Sequence, residues 1–141
     1  MRSTTLALVV PFLLGACGDV VSNNYATKAE ASADSLFDKG WLPDLVPDSA
    51  TNIHVENNLD LSISWGSFRF APRDWALMER SANMQLASPA PFEGWSNTQS
   101  EFISKGYRQL QHSEDHTTWV FFCRPSSGTC EHFMWYRKPS A

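Results

Sequence analysis

Basic side chains are scarce in this sequence of 141 residues. Lys and Arg number 11 against 15 Asp and Glu, which gives a net charge of −4 with histidine neutral. A protein that binds the phosphate backbone of nucleic acid normally shows a strong basic patch, so we expect no nucleic-acid partner. The same deficit argues against a peripheral protein held to anionic lipids by its lysines.

The short motifs of common catalytic sites are also missing. The sequence contains no Gly-x-Ser-x-Gly nucleophile elbow, and no glycine-rich phosphate loop follows a predicted strand. Its three cysteines form no Cys-x-x-Cys pair, the spacing of a thioredoxin-like redox centre. We therefore predict no catalytic constellation and no cofactor.

No apolar run is long enough to cross a bilayer core, which needs about 20 helical residues. The longest apolar run lies between Leu6 and Leu14. It follows Arg2, which is the only basic residue among the first sixteen. A short positive region, a brief apolar region and small residues before a cleavage point are typical of a secretory signal peptide. Pro11 also disfavours a buried helix here. Residues 1–16 are therefore predicted to be a signal peptide that is removed.

The residues that follow carry a resemblance. Leu14-Gly15-Ala16-Cys17 resembles the lipobox of bacterial lipoproteins. The resemblance implies cleavage after Ala16, diacylglycerol on the Cys17 sulfur and acylation of the new amino group. One acyl chain binds a membrane only marginally, whereas two or three make a lasting anchor. In this class an aspartate directly after the cysteine favours the inner membrane. Gly18 holds that position, which implies export to the periplasmic face of the outer membrane.

The remaining cysteines are then free to pair. The three cysteines are Cys17, Cys123 and Cys130. With lipid on Cys17, Cys123 and Cys130 can form a disulfide in the oxidising periplasm.

The C-terminal part of the chain predicts a hairpin. Thr117–Cys123 and Cys130–Arg137 read as strands around the turn sequence RPSSGT. The first strand is apolar on both faces, which is typical of a central strand. A Cys123–Cys130 bridge would set the register, with Phe121 opposite His132 and Trp119 opposite Met134.

Helices are predicted at three places. Thr27–Glu30 fits a capping box, and apolar residues at helical spacing extend a helix over Lys28–Lys39. Pro72 suits the first turn of a second helix that ends near Asn83. A second capping box at Thr98–Glu101 predicts a short helix before Gly106.

Alternating apolar residues predict further strands. The alternation covers Ile53–Val55 and Leu59–Trp65, and Tyr107–His112 is also compatible with a strand. The apolar phase changes at Gly66, which indicates a bulge or tight turn. We therefore predict an α+β fold in which an N-terminal helix and a second helix pack on a mainly antiparallel sheet with a disulfide-linked C-terminal hairpin. Residues 17–26 would be the lipidated cysteine and a tether, and residues 27–141 a single domain.

Residues 40–53, GWLPDLVPDSATNI, contain two prolines that prevent regular structure. The segment is predicted to be a strap that closes one end of the core. The alternative is a docking edge, for which Trp41, Leu42 and Leu45 are the partner-binding candidates. Together with NNLDLS, this segment is similar to small proteobacterial lipoproteins of no assigned activity.

The sequence His112-Ser113-Glu114-Asp115-His116 is the densest group of potential metal ligands. Two histidines four apart share a face on a helix and bind zinc well there. Here they lie between predicted strands, so we interpret the segment as a solvated turn, with His112 and His116 as weak metal candidates.

These features predict a membrane-anchored periplasmic lipoprotein that acts as a non-catalytic binding or accessory module of the cell envelope, or as an inhibitor or immunity-type protein. Its expected partners are the membrane, through the covalent lipid, and an envelope protein. The alternative is a small envelope enzyme, hydrolytic or metal-dependent, that uses the His112–His116 turn. A purely structural lipoprotein is a third possibility.

Overall fold

The structure is a computed structural model that describes residues 19–84 and 89–139. The predicted signal peptide, the lipobox and Cys17 lie outside the described residues, as does part of the predicted loop at 87–97. The described strands are β1 Val20–Thr27, β2 Thr51–Asn58, β3 Ile63–Arg69, β4 Arg108–Glu114, β5 Thr117–Arg124 and β6 Thr129–Tyr136. The helices are α1 Lys28–Ala33, α2 Trp75–Ser81 and α3 Trp95–Ser104, with a 3-10 turn at Pro72–Asp74.

All six strands join one antiparallel sheet in the order β1-β2-β3-β6-β5-β4. Its first face is covered by α1, α2 and the segment between α1 and β2, and it contains the larger apolar cluster. Its second face carries a smaller cluster around Val120, Phe122 and Trp135, against which Trp95 and Phe102 of α3 pack. The prediction that β5 is apolar on both faces is confirmed. The prediction of an antiparallel sheet with helices is confirmed in this coarser form, but the sheet dominates and the helices are short.

The C-terminal hairpin matches its prediction closely. Cys123 and Cys130 form a disulfide and lie opposite each other in the pairing of β5 with β6. The same register sets Phe121 opposite His132 and Trp119 opposite Met134, as predicted.

Removing the disulfide is expected to lower the free energy of unfolding by about 2–3 kcal/mol, because the unfolded chain then regains the entropy of a closed eight-residue loop. Urea denaturation of oxidised protein and of the Cys123→Ala/Cys130→Ala variant measures the difference. Wild-type protein kept reduced throughout is the matched control, since it loses the bond without losing side-chain volume. A difference below about 0.5 kcal/mol in both comparisons would contradict the prediction.

The first helix is half as long as predicted. Thr27 Oγ1 accepts from the Glu30 amide at 3.2 Å, as in a capping box, while the Glu30 carboxylate accepts from the Ala26 amide at 2.8 Å. The α-helix ends at Ala33, and Ser35 has a positive φ of 60°. This left-handed turn directs Leu36 into the first-face core, where it is buried.

Residues 20–26 of the predicted tether form, together with Thr27, the strand β1 instead. This edge strand pairs with β2 at seven positions, from Val20 opposite Asn58 to Thr27 opposite Thr51. Its sequence, VVSNNYAT, lacks an apolar alternation because its side chains are exposed or half-exposed on both faces. Only Gly18 and Asp19 therefore separate Cys17 from the first strand.

The later helices follow the sequence in part. Pro72 opens a 3-10 turn that leads into α2, close to the prediction. The α3 helix begins three residues before the predicted capping box, after Gly94 in the left-handed region at φ 66°. Burial decides this start, because Trp95 packs on Phe133 and Trp135 with ring centroids 5.1 and 5.7 Å away.

The bulge predicted at Gly66 lies elsewhere. Gly66 pairs regularly with Val55 and His132, and the irregularity falls on β2 between Thr51 and His54. The apolar phase of β3 changes because its early residues pack on the second face, whereas Phe68 packs on the first.

Candidate functional site

The helix on the second face covers one half of the sheet. Phe102 stacks on Phe122 at 4.4 Å between ring centroids, and Trp95 packs on Phe133 of β6. The other half of this face, over β1, β2, β3 and one position of β6, carries mainly polar side chains. We name this set the open patch, and it consists of Asn24, His54, Glu56, Trp65, Ser67 and Glu131.

Strand register places these side chains together. Asn24 lies opposite His54 in the pairing of β1 with β2. Ser67 lies opposite both His54 and Glu131, so one row crosses four strands. A second row sets Glu56 opposite Trp65. Side chains directly opposite each other on one face of a sheet have Cβ atoms about 5 Å apart, and diagonal neighbours lie within reach of long side chains.

His54 is held in place by its neighbours. Its Nδ1 lies 2.8 Å from Asn24 Oδ1, and its Nε2 lies 3.1 Å from Glu56 Oε1. Contacts at both ring nitrogens fix the imidazole plane and with it the Glu56 carboxylate. The centre of the open patch is thus ordered before any ligand arrives.

Glu131 is a partly buried carboxylate of the open patch. Burial raises the pKa of its carboxyl above the usual value, and the nearby His54 ring lowers it by less. A carboxylate that has lost part of its water gains more than an exposed one from a cation placed beside it. Glu131 therefore favours a positively charged ligand group.

Trp65 supplies the aromatic surface of the open patch. The indole is half-buried against the second-face cluster. Glu56 is its direct cross-strand neighbour and Glu131 lies diagonally across β3 and β6. An aromatic face beside carboxylates binds a guanidinium or ammonium group by cation–π attraction and charge-assisted hydrogen bonds together.

The predicted histidine turn is confirmed only at Asp115 and His116, because His112, Ser113 and Glu114 belong to β4. Asp115 and His116 are exposed and have positive φ values of 45° and 67°, the geometry of a two-residue hairpin loop. His112 lies on β4 with its ring centroid 5.7 Å from that of Trp119, and its side chain is 15% exposed. No group of three or more His, Cys, Asp or Glu in the described ranges could hold a metal ion.

The segment between α1 and β2 packs as a strap over one end of the first face. Leu42 is buried in the core, while Trp41 and Leu45 are half-buried against it. The Trp41 carbonyl accepts a hydrogen bond from the Trp119 indole at 3.2 Å. Beside the strap, a cavity of about 270 Å³ is lined by Leu42, Trp119 and four acidic residues, Asp38, Asp44, Glu114 and Asp115.

The sequence alone does not predict the open patch. Its pattern places His54 and Trp65 only on predicted strands and gives no sign that Glu56 or Glu131 belongs to a site. Their one local signal is the hairpin of β2 and β3, whose register would have set Glu56 opposite Trp65. Glu131 joins the patch only because β6 pairs with β3.

Comparison with known proteins gives one partial match. Residues 19–69 match the family described as the YbbD head domain. This part of the chain runs from before β1 to the end of β3 and contains the open-patch residues apart from Glu131. Neither the curated proteins nor the solved structures contain a significant match to the chain. Within residues 19–84 and 89–139, no helix is long and apolar enough to span a membrane.

Proposed function

We propose that this protein is an exported lipoprotein, anchored through Cys17 at the periplasmic face of the outer membrane, that binds an envelope protein without catalysing a reaction. The open patch is the binding surface, and it receives an arginine or lysine side chain of a basic partner. The single observation that carries the proposal is Trp65 beside the two carboxylates of Glu56 and Glu131.

The construction of the open patch supports binding. Its side chains project from paired strands rather than from loops, so their positions are fixed by the sheet. The Asn24–His54–Glu56 contacts reduce the entropy lost when a ligand orders the site. A partly buried tryptophan next to charged groups is typical of the residues that dominate binding energy at interfaces.

The net negative charge of the protein also favours a basic partner. Without residues 1–16, which include Arg2, the mature chain has 10 basic and 15 acidic side chains. The resulting net charge of −5 attracts a basic partner over a distance and raises the association rate at low salt. This is the behaviour expected of an accessory module or an inhibitor that engages a positively charged surface.

Co-purification tests the proposal. Full-length protein extracted from envelopes in mild detergent is expected to retain a stoichiometric companion. The Glu56→Gln/Glu131→Gln variant is expected to bind that companion at least about tenfold more weakly, because each substitution replaces a charge-assisted hydrogen bond with a neutral one that is weaker by roughly 1 kcal/mol. The Trp65→Ala variant should show a similar loss.

The matched control is Glu93→Gln/Glu114→Gln, which removes the same two charges at exposed positions outside the patch. The control should retain the companion and keep its dissociation rate. A companion that survives the Glu56→Gln/Glu131→Gln change, or an association rate that is insensitive to ionic strength, would refute the proposed surface.

A further inference from the structure

Exposed apolar side chains are concentrated at one end of the sheet. Eight large apolar residues are exposed in the described part of the chain. Five of them form the set that we name the apolar end, which consists of Val20, Val21, Leu59, Leu61 and Tyr136. Leu59 is 50% exposed and Leu61 is 64% exposed. A cluster of this kind on a small protein marks an interaction surface.

Hydrogen bonds bring these residues together from three segments. The Leu59 amide donates to the Asp19 carbonyl at 3.1 Å, which joins the start of β1 to the turn between β2 and β3. The Tyr136 amide donates to the Ser62 carbonyl, also at 3.1 Å, which joins the end of β6 to the same turn. The five residues of the apolar end therefore lie at the same end of the sheet, on three segments that are joined through their backbones.

The proposed lipid attachment lies next to this surface. Two residues separate Cys17 from Val20, and an extended chain spans at most about 3.6 Å per residue. A lipid-bearing Cys17 would thus be tied within roughly 11 Å of the first residue of β1. This step rests on the proposed function, because it takes the lipid on Cys17 as given.

We infer that the apolar end rests in the headgroup region of a phospholipid bilayer. Acyl chains on Cys17 hold this end at the membrane, since no longer tether allows the domain to move away. Leu59 and Leu61, at the tip of the turn between β2 and β3, enter the headgroup region most deeply. Tyr136 suits the boundary, because its ring is apolar while its hydroxyl stays hydrated.

The charges around the apolar end select the kind of lipid. Asp19 and Asp60 lie close enough that the Asp19 carboxylate raises the pKa of Asp60. This acidic pair disfavours an anionic headgroup and favours a zwitterionic one. Arg137 and Lys138 follow Tyr136 directly and are exposed, so their side chains can extend to lipid phosphates.

Contact between the apolar end and the bilayer also fixes the orientation of the open patch relative to the membrane. With the apolar end on the bilayer, the strands lead away from the membrane and the second face turns sideways. The open patch then faces partners that lie beside the protein in the periplasm.

Depth-dependent quenching tests the inference. Full-length lipidated protein carrying Leu61→Cys, labelled with a small fluorophore, is reconstituted into phosphatidylcholine vesicles that contain nitroxide lipids. The control label is at Ile103→Cys, because Ile103 is 51% exposed on α3, away from the apolar end. We expect shallow nitroxide lipids to quench position 61 at least threefold more than position 103.

The outcomes separate this inference from the lipid anchor. Vesicles that float with the protein while both labels are quenched equally would overturn membrane contact and leave the anchor intact. Protein that does not float, with Cys17 shown by mass to carry no acyl group, would overturn both. In a third outcome, the label at position 61 is protected from solvent only when the protein is dense on the vesicle, whether or not nitroxide lipid is present. That result would assign the apolar end to contact with a second copy and overturn the lipid inference.

Discussion

Replacing Gly66 with alanine is expected to lower the free energy of unfolding by about 3 kcal/mol, the upper part of the range for overpacking. A Cβ at this position would lie 1.9 Å from the His54 carbonyl oxygen and 2.8 Å from His132 Nε2. The first contact is with backbone of β2, which cannot move without disturbing its pairing with β1 and β3. Elsewhere in a strand the same change is favourable by about 0.5–1 kcal/mol, so the sign of the effect is diagnostic.

Ser67→Ala is the control, because Ser67 is the next residue on β3 and points to the opposite face. We expect this substitution to change the free energy of unfolding by less than about 0.5 kcal/mol. Urea denaturation of both variants gives the comparison. A Gly66→Ala protein as stable as the wild type would show that the His54 carbonyl does not lie close to the Cα atom of Gly66.

His132 alone is expected to lower the free energy of unfolding by about 3 kcal/mol as the pH decreases from 6.5 to about 4. This ring is fully buried, and burial lowers its pKa to about 4, from 6.5 in the unfolded chain. The unfolded state therefore takes up a proton first as the pH decreases. The contribution of His132 is complete above pH 6.5 and is lost progressively down to about pH 4.

The surroundings of His132 explain this preference for the neutral ring. Its Nε2 donates a hydrogen bond to the His54 carbonyl at 3.0 Å, and Phe68 stacks beside it with ring centroids 6.2 Å apart. A charged imidazolium would lie in the apolar core without a carboxylate partner for its second N–H. Glu131 has the opposite effect on stability. Because its pKa is raised, the folded state takes up this proton before the unfolded state does, which offsets part of the loss caused by His132.

His132→Gln separates the His132 contribution from those of other groups. Glutamine can still donate to the His54 carbonyl, but it does not titrate. Urea denaturation of both proteins at pH 4.5, 5.5, 6.5 and 7.5 should show a stability difference that shrinks towards low pH. Parallel pH profiles for the two proteins would rule out His132 as the source of the dependence.

Local pairing explains which parts of the fold the sequence predicts well. The hairpin of β5 and β6 follows from alternation, a turn sequence and two cysteines within a few residues, and its register is confirmed to the residue. The Asp115-His116 turn is equally local. The end of α1 is different, because burial of Leu36 at the start of the strap overrides a helical pattern that continues to Lys39.

Pairing between distant segments explains what the sequence does not predict. The polar strand β1 is ordered by its hydrogen bonds to β2, about 30 residues further on. Likewise, β3 pairs with β6 over sequence separations of 60 to 72 residues, and this pairing alone adds Glu131 to the open patch. The sequence pattern of a strand does not indicate which distant strand it pairs with.

The position of β1 at the edge has a mechanical consequence. With Cys17 held in the membrane as proposed, a pull on the domain enters along the axis of β1. The hydrogen bonds between β1 and β2 then resist the force together, in shear, and are not opened one after another as in a zipper. The strand with the fewest buried side chains would thus be well placed to bear a load when a bound partner pulls away from the membrane.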